Sequence, residues 1–187
     1  MKRSFVLLLI CIVMIFSLNS QDFDFIRQKA EEGNPVAQTR LGIYYYQGKN
    51  VEKNPETAFE WFMKGANQGF PLAQYYVGAM YRFGNGVEKD LKKAIIWFTK
   101  ASNQNQARAQ YMLAAMYYLG LGTDRDLIKA YYFYKLAERN KVKKAELMLN
   151  ELKNIMSRSQ IDKAEKMFLN RVKQVKKPNK KNSTNNN

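Results

Sequence analysis

The residue types that usually carry out catalysis are scarce in this chain. Its 187 residues include no histidine, which is the commonest general base and metal ligand near neutral pH. The one cysteine, Cys11, lies within an apolar run at the N-terminus. Asp124 and Asp126 resemble a pair of carboxylates that could share acid–base work.

The carboxylate pair has a simpler explanation, because one of its members recurs along the chain. Asn54, Asp90 and Asp126 are spaced by 36 residues, and all three are types whose side chains cap helix N-termini. Two glycine-rich segments, 84–86 and 120–122, share that spacing and are interpreted as turns between helices, not as phosphate loops. We therefore predict no catalytic residue, no metal site and no cofactor.

The 36-residue period extends through most of the sequence. It relates alanines, glycines and aromatic residues: Ala37, Ala73, Ala109 and Ala145; Gly48, Gly84 and Gly120; Trp61, Trp97 and Phe133. A fixed period of about 20–50 residues is typical of stacked repeats. The sequence therefore predicts an all-α fold, an α-solenoid of helix-turn-helix repeats.

Each repeat is predicted to hold two helices. In the first repeat, one helix runs from about Val36 to Gln47 and ends at a glycine, and the second begins after Asn54. Gly42 and Gly78 fall inside first helices, where glycine costs about 1 kcal/mol relative to alanine. We expect this cost to be offset by a close approach of neighbouring helices at these two residues.

The middle repeat, from Ala73 to Ala101, resembles the Sel-one-like repeat (SLR), a relative of the tetratricopeptide repeat. It follows the pattern Ala-x-x-x-Leu-Gly-x-x-Tyr-x-x-Gly-x-Gly-Val-x-x-Asp-x-x-x-Ala-x-x-Trp-Phe-x-Lys-Ala, with Val77 in place of the leucine. The resemblance covers roughly Phe23 to Leu152. The departures from the pattern in the other repeats are Asn50, Ala114, Thr123 and Phe133.

The resemblance implies an α-solenoid that works as an adaptor for other proteins. Some relatives carry a disulfide in each repeat and are linked to β-lactam binding. This chain lacks those cysteines, so we do not expect that property here.

Composition divides the chain into five predicted segments. These are a signal peptide (1–20), an N-terminal capping half-repeat (21–34), three SLR repeats (35–142), a C-terminal helical cap (143–172) and a basic, disordered tail (173–187).

The N-terminus has the composition of a secretory signal peptide. Lys2 and Arg3 precede an apolar run of 14 residues from Phe5 to Leu18, and Ser20 is a small residue at a plausible cleavage point. The predicted location is therefore the periplasm, the envelope or the medium. A short uncleaved anchor is the alternative, although a spanning helix needs about 20 apolar residues.

The formal net charge of +15 is concentrated towards the C-terminus, where residues 141–187 hold 13 basic and 4 acidic side chains. One interpretation is a solvated tail that keeps the protein soluble. The other is a surface in which C-terminal lysines bind an anionic envelope polymer or membrane. Nucleic acid is not expected as a partner, because a signal peptide would carry the protein away from it.

The side of the first helices opposite their apolar stripe is the predicted binding face. Its residues are Thr39, Ile43, Tyr46, Tyr75, Arg82, Phe83, Tyr111, Tyr118 and Leu119. Tyrosine and arginine are enriched at binding hot spots, so we expect these positions to stack into a concave strip. The alternative is that the rings pack against neighbouring helices.

The sequence thus predicts an exported, non-catalytic scaffold that holds another protein or peptide in a concave groove. The alternatives are an envelope-associated protein that binds an anionic surface through its basic C-terminus, and a hydrolase of envelope material.

Overall fold

A computed structural model describes residues 22–176, in which all regular secondary structure is α-helical. The predicted signal peptide and residues 177–187 lie outside the described residues. The helices are α1 (described over residues 22–31), α2 (Pro35–Gln47), α3 (Pro55–Asn67), α4 (Pro71–Phe83), α5 (Leu91–Asn103), α6 (Ala107–Leu119), α7 (Leu127–Arg139), α8 (Lys143–Ile155) and α9 (Arg158–Lys176).

The helices pair as the period predicts. In each repeat a 13-residue first helix (α2, α4 or α6) packs on a 13-residue second helix (α3, α5 or α7). The fold is an all-α solenoid of helix pairs. The described residues divide into two compact units, 22–106 (unit 1) and 107–176 (unit 2).

The predicted N-caps of the second helices are confirmed. The side chains of Asn54, Asp90 and Asp126 each accept a hydrogen bond of 2.9 Å from a backbone N–H three residues later. Each bond satisfies one of the N–H groups that a helix start leaves without a partner. Asp126 therefore stands at the repeat spacing because it caps the start of α7.

The second helices are each followed by a residue in the left-handed region. Gly69 has φ of 85°, and Asn105, one repeat later, has φ of 62°, as its residue type predicts. Lys141 takes the same place in the third repeat with φ of 66°. The period therefore imposes this backbone conformation even where the side chain does not favour it.

The predicted close approach inside each repeat of unit 1 is confirmed. A Cβ atom built at Gly42 would lie 2.7 Å from the Phe62 ring, and one at Gly78 would lie 2.8 Å from the Phe98 ring. Phe62 and Phe98 are fully buried. Glycine is thus required because the ring of the second helix occupies the space of a side chain on the first.

A chain of side-chain amides, of which Gln38 and Gln74 are buried, joins consecutive repeats of unit 1, and the sequence analysis did not anticipate it. Gln74 Nε2 donates to the Ala66 carbonyl at 3.3 Å, while its Oε1 accepts from Gln104 Nε2 at 2.9 Å. Gln104 Nε2 also donates to the Gly69 carbonyl at 2.7 Å. The same arrangement recurs one repeat earlier at Gln38 and Gln68.

The C-terminal cap forms, and it is longer than predicted. Ser157 and Gln160 make a reciprocal capping box, in which Gln160 N donates to Ser157 Oγ at 3.3 Å and Ser157 N donates to Gln160 Oε1 at 2.9 Å. Helix α9 continues to Lys176, and so includes residues 173–176 of the predicted tail.

A hydrogen bond fixes α9 to α7. The Tyr131 hydroxyl donates to Glu165 Oε1 at 2.9 Å, beside the buried Ala164. Burial, and then the bond to the Glu165 carboxylate, raise the pKa of the Tyr131 phenol well above its usual range.

We expect Gln74→Met to lower the free energy of unfolding by roughly 1–3 kcal/mol, because it removes both hydrogen bonds of the buried Gln74 amide, to the Ala66 carbonyl and from Gln104 Nε2. Urea titration followed by helicity measures this change. Gln47→Met, at an exposed position near the end of α2, is the matched control and should be nearly neutral. Equal effects of the two substitutions would contradict a stabilising role for the amide chain.

Ionisation of Tyr131 should account for part of the loss of folding stability at alkaline pH. Because the pKa of Tyr131 is raised in the folded state, its contribution to the free energy of unfolding is complete below the unfolded-state pKa of about 10. That contribution is lost as pH rises above this value. Urea titrations between about pH 8 and pH 11 should show a steeper loss for the wild type than for Tyr131→Phe, by up to about 1.4 kcal/mol per pH unit. Tyr45→Phe is the control; a Tyr131→Phe curve parallel to the wild type would refute this.

Candidate protein-binding face

The predicted binding residues lie on the first helices, and in each unit we call the surface that they form the first-helix face. In unit 1 it is formed by Ile43 and Tyr46 of α2 and by Tyr75, Arg82 and Phe83 of α4. In unit 2 it is formed by Tyr111, Tyr118 and Leu119 of α6. The exposure of these side chains decides which of them a partner can touch.

The prediction for Thr39 is wrong. Its side chain is only 1% exposed, and its Oγ1 donates to the Pro35 carbonyl at 2.7 Å. The same Oγ1 lies 3.0 Å from the position that a Cβ at Gly65 would take. Thr39 is thus enclosed between α2 and α3 and contributes nothing to an accessible face.

Tyr46, Tyr75 and Tyr76 of unit 1 are half-buried and pack in a connected group. The Tyr46 and Tyr76 rings lie 6.4 Å apart between centroids, and Tyr76 stacks on the buried Phe62 at 4.5 Å. The Tyr75 ring lies 5.4 Å from Tyr76 and 6.0 Å from Phe98. One side of each ring is therefore used for packing, as the alternative interpretation proposed, and the rings are held in fixed positions.

The end of α4 presents the most accessible ring of the predicted face. Phe83 is 65% exposed, and the Arg82 guanidinium carbon lies 4.9 Å from its ring centroid. This distance is within the range of a cation–π contact. An exposed phenylalanine beside an arginine combines two features common at protein interfaces.

In unit 2, Tyr118 is held by two charged residues. Its hydroxyl donates to Glu151 Oε1 of α8, and this bond is the main reason why its pKa is raised. The Arg125 guanidinium carbon lies 5.4 Å from the Tyr118 ring centroid, and Arg125 Nε donates to the Tyr118 carbonyl at 3.1 Å. Leu119, the next residue, is 57% exposed.

Helix α8 extends the face, and the sequence analysis missed this. Leu147 is 70% exposed and Ile155 is 50% exposed. They follow Tyr111 and Leu119 by 36 residues each, so the period would have identified them. They were overlooked because the fourth repeat lacks the glycine-containing loop of the others. Phe83, Leu119 and Ile155 thus form a recurring series of exposed apolar side chains.

The structure gives Asp126 a structural role and leaves no obvious metal centre in the described part of the chain. Asp126 caps α7 and its carboxylate lies 3.3 Å from Lys129 Nζ. Asp124 lies beside it in an open cavity of about 510 Å³ formed by residues 123–129 and Gln160. Among residues 22–176, no three His, Cys, Asp or Glu side chains are grouped so that they could hold a metal ion.

None of the helices between residues 22 and 176 has the length and apolar character needed to cross a bilayer.

A model of the Sel1 repeat matches residues 35–70, 71–106 and 107–141, which are the three helix pairs described above. The chain belongs to the Sel1-repeat family. Sel1 repeats are a non-catalytic fold that generally mediates protein–protein interaction. The residues of the first-helix face therefore occupy equivalent positions in consecutive Sel1 repeats.

Solved Sel1-repeat structures resemble this one. A Sel1 repeat protein from Oxalobacter formigenes is 30% identical with a TM-score of 0.66, covering 73% of this chain and 57% of its own. A protective antigen from uropathogenic Escherichia coli strains, which displays an SLR fold, is 25% identical with a TM-score of 0.62, covering 88% of this chain and 45% of its own. This chain thus spans about half the length of these two relatives.

Cysteine-rich protein B from Helicobacter pylori shares the fold. It is 21% identical with a TM-score of 0.58, and the match covers 68% of this chain and 95% of that one. A search of curated proteins finds no match for this sequence.

Proposed function

We propose that this Sel1-repeat protein is an exported, non-catalytic scaffold that binds another protein or peptide along its first-helix face. The observation that carries the proposal is the series of exposed apolar side chains at one repeat position, Phe83, Leu119 and Ile155. A single exposed leucine is common on protein surfaces. Recurrence of an exposed apolar side chain at the same position of consecutive repeats, once in unit 1 and twice in unit 2, favours a binding role.

The packing of the tyrosines supports the same role. Tyr46, Tyr75 and Tyr76 are held by ring contacts with each other and with the core. Because these rings are already ordered, they lose little additional conformational entropy when a partner binds. The face is thus preorganised for binding.

Export is proposed from the N-terminal composition alone. The basic start and the apolar run from Phe5 to Leu18 are typical of a signal peptide. The mass of the protein recovered from the envelope and medium should correspond to a chain without residues 1–20. Recovery of the unprocessed chain from the cytoplasm would contradict export.

The binding proposal is tested by removing its exposed apolar side chains. Full-length protein with a C-terminal tag is used to capture partners from envelope extracts, and each captured protein is then titrated in purified form. Phe83→Ala with Leu119→Ala should weaken binding at least about 10-fold, because each side chain contributes roughly 1.5–3 kcal/mol when fully buried. Both positions are exposed, so helicity should be unchanged.

The matched control replaces apolar side chains that are equally exposed but lie on other helices. Phe25→Ala with Ile96→Ala removes similar area from α1 and α5. Binding to this control should equal that of the wild type. A partner that is lost equally from both double variants, or from neither, would show that the first-helix face does not carry the function.

A second candidate function uses the basic side of α9. Lys163, Lys166 and Lys173 are exposed and form no salt bridge within the described part of the chain. Leu169, 51% exposed, lies three residues after Lys166 and four before Lys173. Residues 177–187 add Lys177, Lys180 and Lys181 to this basic segment. Such a surface suits an anionic membrane or polymer.

The second candidate predicts binding to vesicles that contain phosphatidylglycerol but not to pure phosphatidylcholine. Replacing Lys163, Lys166 and Lys173 by Gln should weaken vesicle binding by about 5-fold per lysine, since each contributes about 1 kcal/mol near an anionic surface. Binding should also fall as salt rises. The control replaces the exposed Lys53, Lys89 and Lys92 by Gln; equal losses would show that net charge alone is responsible.

A further inference from the structure

We propose that one side of α8 binds the same side of a second copy of this chain, with the two helices antiparallel. This side, which we call the α8 stripe, consists of Lys144, Leu147, Met148, Glu151 and Ile155. The inference goes beyond the proposed function, because it assigns self-association to unit 2 and leaves the aromatic residues of unit 1 to another protein.

The α8 stripe is separate from the side by which α8 packs in unit 2. Successive residues of a helix are rotated by about 100°, so the five residues of the stripe fall within about 100° of arc. The buried residues of this segment lie on a side about 120° away: Ala145, Leu149, Leu152 and Met156. Leu147 is 70% exposed and Ile155 is 50% exposed. Helix α8 therefore has a second apolar side, which the packing of unit 2 leaves exposed.

The α8 stripe carries one charge of each sign. Lys144 is exposed and forms no salt bridge within residues 22–176. Glu151 Oε1 accepts from the Tyr118 hydroxyl, and its second oxygen can still accept from a cation. Lys144 and Glu151 are seven residues apart, so they lie on one side of α8 but about 10 Å from each other along its axis. Each can therefore pair with a charge on another molecule.

The order of these residues makes the stripe complementary to itself. Lys144 precedes Leu147 by three residues, and Glu151 follows Met148 by three. When two such helices lie antiparallel about a twofold axis between Leu147 and Met148, each lysine meets the glutamate of the other copy. Leu147 and Met148 of both copies then meet at the centre. The contact thus consists of an apolar centre between two equivalent ion pairs.

The charges exclude the other simple arrangements of two α8 helices. A twofold axis at Glu151 would pair Leu147 with Ile155 of the other copy, but it would also bring the two Glu151 carboxylates together. A parallel arrangement in register would set Lys144 against Lys144 and Glu151 against Glu151. Like charges brought together at an interface are unfavourable. Charge complementarity therefore selects the antiparallel contact centred between Leu147 and Met148.

Self-association through the α8 stripe should be weak. A 13-residue helix presents less surface than the roughly 800 Å² per partner of a standard interface. The formal net charge of +15 also opposes association of two copies. At ~0.15 M salt, however, charges more than about 8 Å apart are largely screened, whereas groups in direct contact are screened less. We therefore expect a dimer whose population rises with protein concentration at this salt concentration.

The first test is sedimentation equilibrium of the purified protein over a range of concentrations, which should show monomer and dimer. Leu147→Ala should weaken dimerisation at least about 10-fold, because the dimer loses a central side chain from each copy. Ile96→Ala, which removes an exposed isoleucine from α5, is the matched control and should dimerise as the wild type does. A wild type that stays monomeric, or a Leu147→Ala variant that dimerises equally well, would overturn the inference.

The second test uses the two charges and is independent of any folding defect. Lys144→Glu and Glu151→Lys should each dimerise roughly 10-fold more weakly alone, because both ion pairs become like-charge contacts. An equimolar mixture of the two variants should form a heterodimer about as strongly as the wild type dimerises, since both ion pairs are then restored. Misfolded proteins would not regain binding on mixing. Failure of the mixture to associate would refute the antiparallel pairing.

Two further variants separate this inference from its neighbours. Tyr118→Phe removes the hydrogen bond to Glu151 but keeps the carboxylate charge, so it should dimerise as the wild type does. Phe83→Ala, in unit 1, should also leave dimerisation unchanged. Loss of partner capture in Phe83→Ala with dimerisation intact supports both proposals. If the wild type captures a protein through Phe83 but never dimerises, only the self-association inference fails; if it dimerises but captures nothing, only the scaffold proposal fails.

Discussion

The contact on which the rest of the structure depends is that between a glycine of the first helix and a phenylalanine of the second. At Gly78 the Phe98 ring lies where a side chain would begin, so α4 and α5 approach with almost nothing between backbone and ring. A second close approach joins consecutive repeats, since a Cβ at Gly86 would lie 2.3 Å from the Pro55 carbonyl oxygen. Together these contacts fix how helices stack within unit 1, because close-packed interiors do not deform gradually.

This packing also explains why the first helices keep aromatic side chains near solvent. Their inner side is occupied by small residues: Ala73 lies close to Gly65 of α3, and Gly78 admits the ring of Phe98. The buried Gln74 then satisfies backbone carbonyl and amide groups between repeats. With the core and the polar contacts completed in this way, Phe83 is left 65% exposed, while Tyr75 packs one side of its ring on Tyr76 and Phe98.

The period and the helix boundaries could be predicted because they depend on local chemistry, such as the caps at Asp90 and Asp126. The burial of Thr39 could not, because it depends on how closely Gly65 of the next helix approaches. The amide of Gln74 shows its role only when its partners, distant in sequence, are brought together. The end of α9 was placed too early because the lysines after Val172 indicated a tail, although no proline interrupts residues 173–177. The sequence analysis inferred disorder from the charge of residues 173–176, although the helix propensity of these residues is adequate.

The choice of cation separates the two candidate surfaces. The first helices use only arginine, whose planar and weakly hydrated guanidinium can stack on a ring and bind a carboxylate through two parallel hydrogen bonds. The exposed side of α9 uses Lys163, Lys166 and Lys173, whose compact and strongly hydrated charges act over distance without a fixed geometry. Geometry is what distinguishes one peptide from another, whereas diffuse charge mainly raises the rate of encounter. Specificity is therefore expected from the first helices, and attraction to anionic surroundings from the C-terminal helix.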